Sequence, residues 1–172
     1  LGYMTQSVRD LVAETGYPGM KVLQFAFGSG SDNEYLPHNY TPNSVVYTGT
    51  HDNETLMQYL ECTEEHVRNH IREYMNRPHA SNEELCENLI WMAMSSVGKY
   101  CMIPLQDYLG LGKEARMNYP STLGHNWEWR VRKEQLTHDL ASYIAHMTGL
   151  SYRWRIDPPK EEETNETDTE NE

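Results

Sequence analysis

The chain has 172 residues, 38% of them hydrophobic, and a formal net charge of −12, with a mean hydropathy of −0.78. That length suits one ordinary domain. No apolar run approaches the roughly 18 residues of a membrane-spanning helix, and no basic stripe is present to neutralise the phosphates of a nucleic acid.

In chain order, Thr5 can cap a helix that carries Val8, Leu11 and Val12 on one face, with Gly16 to end it. Pro18-Gly19 turns the chain into a strand over residues 21–27, and Gly28 opens a polar loop running to about Asn43. A second strand covers residues 45–48, and helical spacing resumes near Glu54 with Leu56, Tyr59 and Leu60. Another helix starts at Thr63, with Val67, Ile71, Tyr74 and Met75 along one stripe, and Pro78 halts it. Ser81 and Glu84 form a capping box ahead of a helix bearing Leu85, Leu89, Met92 and Ala93, which ends by Gly98. Residues 100–105 make a third strand, and Pro104 makes it terminal or edge-like. A long irregular segment to about Arg132 precedes a last helix with Leu136, Leu140, Ile144 and Met147, closed by Gly149.

This alternation reads as α/β with parallel strands. Three short strands cannot bury both faces of a parallel sheet. The pattern looks like the closing portion of a barrel whose earlier strands are absent. Residues 1–156 would form that portion. Residues 157–172 would be an acidic disordered tail: seven acidic residues against one lysine over 160–172 carry half of the net charge. The chain opens with Leu1 rather than Met, which suggests a piece of a longer protein. Cys62, Cys86 and Cys101 form no close pair, so reduced thiols and a cytoplasmic location are expected, with no structural zinc. No signal-peptide pattern is seen.

The stretch Ser44-Val45-Val46-Tyr47-Thr48-Gly49-Thr50-His51-Asp52-Asn53-Glu54-Thr55 carries the most chemistry. A β-branched run stops at a glycine, and His-Asp-Asn follows at the mouth of a helix. In parallel α/β proteins, reacting groups are displayed at the carboxyl ends of strands. Asp52 can face a substrate there, or Asp52 or Asn53 can merely cap the helix. The residues alone leave both readings open.

Other motifs carry less. His66 and His70 have a metal-ligand spacing, but the H-E-x-x-H glutamate is missing, and a solvated face fits better. Gly28-Ser29-Gly30 and Gly110-Leu111-Gly112-Lys113 lack the phosphate-loop pattern. No G-x-S-x-G elbow and no metal cluster or cofactor motif is found. Many polar and aromatic residues follow strand ends, among them His38, Asn39, Gln106, Asp107, Asn118, Trp127 and Trp129. Flat rings beside amides and carboxylates suit sugars, which pair apolar C–H faces with hydroxyl rims. The two tryptophans read more as packing residues than as a sugar platform.

Tyr17-Pro18-Gly19-Met20-Lys21-Val22-Leu23-Gln24-Phe25-Ala26-Phe27, Tyr35-Leu36-Pro37-His38-Asn39 and Tyr47-Thr48-Gly49-Thr50-His51-Asp52-Asn53 strongly resemble the 4-α-glucanotransferase family, also called amylomaltase or disproportionating enzyme. Ile103-Pro104-Leu105-Gln106-Asp107, Leu109-Gly110-Leu111-Gly112, Ala115-Arg116-Met117-Asn118 and Asn126-Trp127-Glu128-Trp129-Arg130 continue the match in order, over roughly residues 1–150. Gly28-Ser29-Gly30-Ser31 and Tyr119-Pro120-Ser121-Thr122 depart from it, in loops that bear on acceptor-site detail.

The resemblance implies a TIM (β/α)8 barrel, of which this chain would be the C-terminal part with about the last three strands and their helices, an incomplete barrel; it implies an enzyme that transfers α-1,4-glucan segments between maltodextrin chains by retention. It implies a nucleophilic Asp, an acid/base Glu and a second Asp that grips the distorted sugar ring. Only the last has a counterpart here, Asp52, as transition-state stabiliser. His51 and Asn53 are expected to bind substrate beside it, and His38, Asn39, Gln106, Asp107, Asn118 and Trp127 to contact donor or acceptor sugars. The isolated chain is expected to be inactive. The rival readings are a hydrolytic α-glucosidase-like barrel and a non-catalytic maltodextrin-binding module. Oligomeric state is not legible.

Overall fold

A computed structural model describes residues 5–154, so the acidic segment 157–172 lies outside the described residues. Three strands form one parallel sheet in the order β1 (Gly19–Val22), β2 (Ser44–Tyr47), β3 (Tyr100–Met102). Met20 pairs with Val45 and Val45 with Tyr100, so the carboxyl ends of the three strands lie side by side. Helix α1 (Gln6–Thr15) precedes the sheet; α2 (Leu56–Cys62), α3 (Glu65–Tyr74) and α4 (Asn82–Met94) connect β2 to β3; α5 (Leu105–Tyr108) and α6 (His138–Leu150) follow. The α/β fold with a small parallel sheet agrees with the sequence reading.

The helix ends follow local chemistry. Thr5 accepts from the Val8 amide, and Gly16 closes α1 in the left-handed region at φ 66°. The Ser81–Glu84 capping box forms with both reciprocal bonds. At the other end of α4, Arg153 donates to the carbonyl of Met94, one the helix leaves unpaired, and to those of Ser96 and Gly98 just beyond it.

Two strands are shorter than expected, and the last helix, His138–Leu150, starts after Leu136 and runs past Gly149. The first strand stops at Val22, and Leu23–Phe25 form a 3-10 turn. Leu23, Gln24, Ala26 and Phe27 are all buried while Phe25 is not, a pattern that a period of two cannot satisfy. The third strand ends at Met102, and Pro104 stands at the N-cap of α5. The β1–β2 crossover contains no α-helix. Phe27, Leu36 and Tyr40 from this loop enter the core directly.

That core lies on one side of the sheet, where Val46 of β2 belongs to one cluster with Leu56, Leu60, Ile71 and Leu89 from the helices. Gly98 is required here, because a Cβ on it would stand 2.5 Å from Val46 Cγ2 and 3.0 Å from Ser44 Oγ. The opposite face carries Met20, Tyr100 and Met102, which are 37%, 53% and 55% exposed. Helix α1 has no buried residue, so its predicted apolar stripe is uncovered among the described residues.

His66 faces Glu64 at 3.1 Å on the surface, as the solvated reading expects. His70 differs: its Nδ1 contacts the Phe27 carbonyl at 3.0 Å, and its ring meets the Phe27 ring edge-on. Among the described residues no group of His, Cys, Asp or Glu is arranged to hold a metal. No helix there is long and apolar enough to cross a membrane.

Candidate functional site

The central strand β2 delivers its chain into a tight polar turn. Thr50 donates its backbone N–H and its hydroxyl to Asn53 Oδ1, at 2.9 and 2.8 Å, and the Asn53 amide returns to the Thr50 carbonyl at 3.1 Å. Asn53 is therefore a turn-former, as Asn commonly is. Gly49 precedes this turn because a Cβ there would lie 2.6 Å from the Gln24 amide nitrogen. The helix beyond begins at Leu56 under Thr55, whose hydroxyl accepts from the Gln58 amide at 3.2 Å. Thr55 is thus the cap, and neither Asp52 nor Asn53 fills that role.

Freed from capping, Asp52 projects from the turn with its side chain 51% exposed. Its Oδ1 accepts from Asn118 Nδ2 at 2.7 Å and stands 3.3 Å from His51 Nε2. No protein hydrogen bond reaches its other carboxylate oxygen among the described residues. The Trp127 ring leans on the His51 ring, with centroids 4.9 Å apart and planes 39° apart. Trp127 holds a left-handed φ of 65°, and its N–H is anchored to the Met117 carbonyl at 2.7 Å. His51, Asp52, Asn118 and Trp127 thus come together at the carboxyl ends of β2 and β3.

Thr50 and His51 line two hollows. One, of about 130 Å³, runs beneath the turn beside Gln106, Arg116 and Met117. The other, of about 350 Å³, opens onto the uncovered sheet face with Met20, Tyr47 and Met102 as its apolar wall. Polar groups at the rim and apolar side chains below match the two-sided surface of a sugar ring.

The remaining site candidates sit differently. Asp107 is 2% exposed, and its two oxygens accept from the Thr48 hydroxyl at 2.6 Å and the Leu56 amide at 2.8 Å. Burial pushes its carboxyl up to about 6, against the opposing pull of those two bonds. Gln106, 8% exposed, turns inward toward the Ala115 carbonyl at 3.3 Å. Both line the hollow beneath the turn, with their polar atoms bonded to buried backbone and hydroxyl partners. His38 contacts Tyr74 Oη and the Ser31 carbonyl, each at 2.9 Å. Asn39 donates to the carbonyls of Ser31 and Asn33. Neither is joined by a hydrogen bond to the His51–Asn53 turn among the described residues.

Three participants escape the sequence reading: Thr48, Glu54 and Arg116. Arg116 binds Glu54 Oε1 at 2.6 Å and the Asp52 carbonyl at 2.9 Å. Its place two residues before Asn118 was the available signal; nothing local in the sequence links it to Glu54 and Asp52, over sixty positions upstream.

A family profile described as 4-alpha-glucanotransferase matches residues 1–137. The 4-alpha-glucanotransferase of Clostridium butyricum is 43% identical over 151 residues, which are 87% of this chain and 31% of that protein. The chloroplastic/amyloplastic 4-alpha-glucanotransferase of Solanum tuberosum is 44% identical over 131 residues, 76% of this chain and 22% of that protein. The structure of the amylomaltase from Streptococcus agalactiae in complex with acarbose superposes with a TM-score of 0.81 at 34% identity, covering 88% of this chain and 30% of that one. The chain thus spans less than a third of the length of these relatives.

Proposed function

Because the chain belongs to the 4-alpha-glucanotransferase family, we propose that the protein carrying it moves α-1,4-glucan segments between maltodextrin chains by a retaining double displacement. The observation that carries this reading is the exposed Asp52 carboxylate at the end of the central strand, held by Asn118 on one oxygen. Retention needs a nucleophilic and a proton-donating carboxyl group across the scissile bond. This chain's motifs hold no counterpart of either, so we assign both to parts of the family's barrel that it does not span. Residues 1–156 then contribute about the last three strands of that (β/α)8 barrel. The uncovered sheet face and the bare stripe of α1 are the surfaces its other strands and helices would bury.

Within that site Asp52 acts through its remaining oxygen. As the ring flattens and gains positive charge, a fixed carboxylate beside it binds the transition state more tightly than the ground state. His51 donates to a neighbouring hydroxyl and is kept in place by Trp127. Asn118 orients Asp52, while Gln106 and Asp107 support the loops from beneath. His38, Asn39 and Asn53 stay with the substrate loops as assigned from the motifs. An acarbose-bound amylomaltase among the similar structures supports α-glucan donors and acceptors.

Incubation of the full-length protein with maltotriose tests this reading. Longer dextrins with little net hydrolysis are expected; free glucose with no longer products would establish the hydrolytic alternative. The 172 residues alone are expected to give no disproportionation, and turnover by them would overturn the assignment of the two missing carboxyl groups.

A further inference from the structure

We infer that Arg116 is a positioning residue for the transfer reaction, locking Asp52 and Asn118 into one unit without contacting sugar; this rests on the function proposed above. Its side chain is only 11% exposed, and each of its nitrogens is engaged. Nε donates to the Asn118 carbonyl at 2.9 Å, Nη1 to Glu54 Oε1 at 2.6 Å and Nη2 to the Asp52 carbonyl at 2.9 Å. The Tyr119 ring backs the guanidinium at 4.4 Å. A planar fork with donors in fixed directions can serve three acceptors at once; an ammonium on a flexible stem cannot.

These bonds close a ring. Arg116 fixes the backbone of Asp52 directly and the backbone of Asn118 beside it, and Asn118 Nδ2 then reaches Asp52 Oδ1 at 2.7 Å. Asp52 is therefore held at its main chain by the guanidinium and at its carboxylate by Asn118, whose own backbone the same guanidinium fixes. Glu54 supplies the counter-charge, which keeps Arg116 from drawing the Asp52 carboxylate toward itself. The Glu54 carbonyl is in turn held by Gln24 Nε2 at 2.8 Å, tying the ring to the first strand's turn. A carboxylate needed only in the transition state is sensitive to such placement, and a displacement of about 1 Å can cost on the order of 100-fold in rate.

The test is steady-state disproportionation of maltotriose by the full-length protein with Arg116→Met, Arg116→Lys, Asp52→Asn and the Arg116→Met/Asp52→Asn pair. Both Arg116 variants should lose roughly 10- to 100-fold in kcat with KM changed less than about threefold. The double variant should be no slower than Asp52→Asn alone, because the two act as one unit. Unchanged kcat in Arg116→Met, or losses that multiply in the double variant, would overturn the inference and leave the proposed function standing. A raised KM at constant kcat would mark Arg116 as a sugar contact, which also overturns it. Normal turnover by Asp52→Asn sinks both. Should Arg116→Met not fold, Glu54→Gln keeps the acceptor and removes the counter-charge. It should then show a smaller kcat loss with the same lack of additivity.

Discussion

Asn118 donates its side-chain amide to Asp52 Oδ1 at 2.7 Å across 66 positions of sequence. The bond bridges the loops that leave two neighbouring parallel strands, β2 and β3, whose carboxyl ends are aligned by the Tyr47–Met102 register. An exposed carboxylate is otherwise free to rotate. Here one oxygen is committed to the protein, while no protein hydrogen bond reaches the other among the described residues.

Asp52→Asn keeps the size of the side chain and removes its charge. In the full-length protein, kcat for maltotriose should fall at least about 100-fold, the scale seen when one preorganised charge-stabilising group is lost. The melting temperature should stay essentially unchanged, because Asp52 caps no helix.

Thr55→Ala tests the same point from the other side. The Thr55 hydroxyl caps α2 through the Gln58 amide, so its removal should lower unfolding free energy by about 1 kcal/mol. Equal destabilisation by Asp52→Ala in a denaturant titration would restore the capping role to Asp52.

Asp107 predicts a pH dependence of stability. Its carboxyl is raised from 3.8 to about 6 by burial, so the folded state holds the proton more tightly than the unfolded chain. The resulting stability is fully present below about 3.8 and lost as pH rises through about 6. Asp107→Asn keeps an acceptor for the Leu56 amide and does not titrate. Stability of the unsubstituted protein relative to this variant should therefore increase from pH 7 to pH 4, by on the order of 3 kcal/mol at most. Paired chemical denaturation at the two pH values reads the difference; parallel curves would rule out Asp107 as its source.

Gly98→Ala should destabilise by about 1–3 kcal/mol, because its methyl group would meet Val46 Cγ2 at 2.5 Å in a packed core. Gly28→Ala, where a Cβ meets nothing within 4 Å, is the matched control and should shift the unfolding midpoint little.

Much of this protein is legible in sequence because the signals are local. Thr5 with Gly16, the Ser81–Glu84 box and the apolar stripe of α3 each act within a few residues, and all three elements form as the pattern predicts. The linked motifs also identify the family and single out His51 and Asp52 without any coordinates. The sequence does not say that Thr55 is the cap, since Asp, Asn and Thr are all acceptable there and only the path of the turn chooses among them. Nor does it distinguish Asp107, buried beneath the loop, from Asp52, exposed above it. Both are aspartates after a strand, and desolvation depends on what packs around them. The pairing of Arg116 with Glu54 and Asp52 was not legible for the same reason: they meet it only because parallel strands bring two distant loops together. Short-range hydrogen bonding and hydrophobic period determined the elements, and the linked motifs singled out Asp52, whereas burial and cross-strand contact, which exist only after folding, decided what holds it.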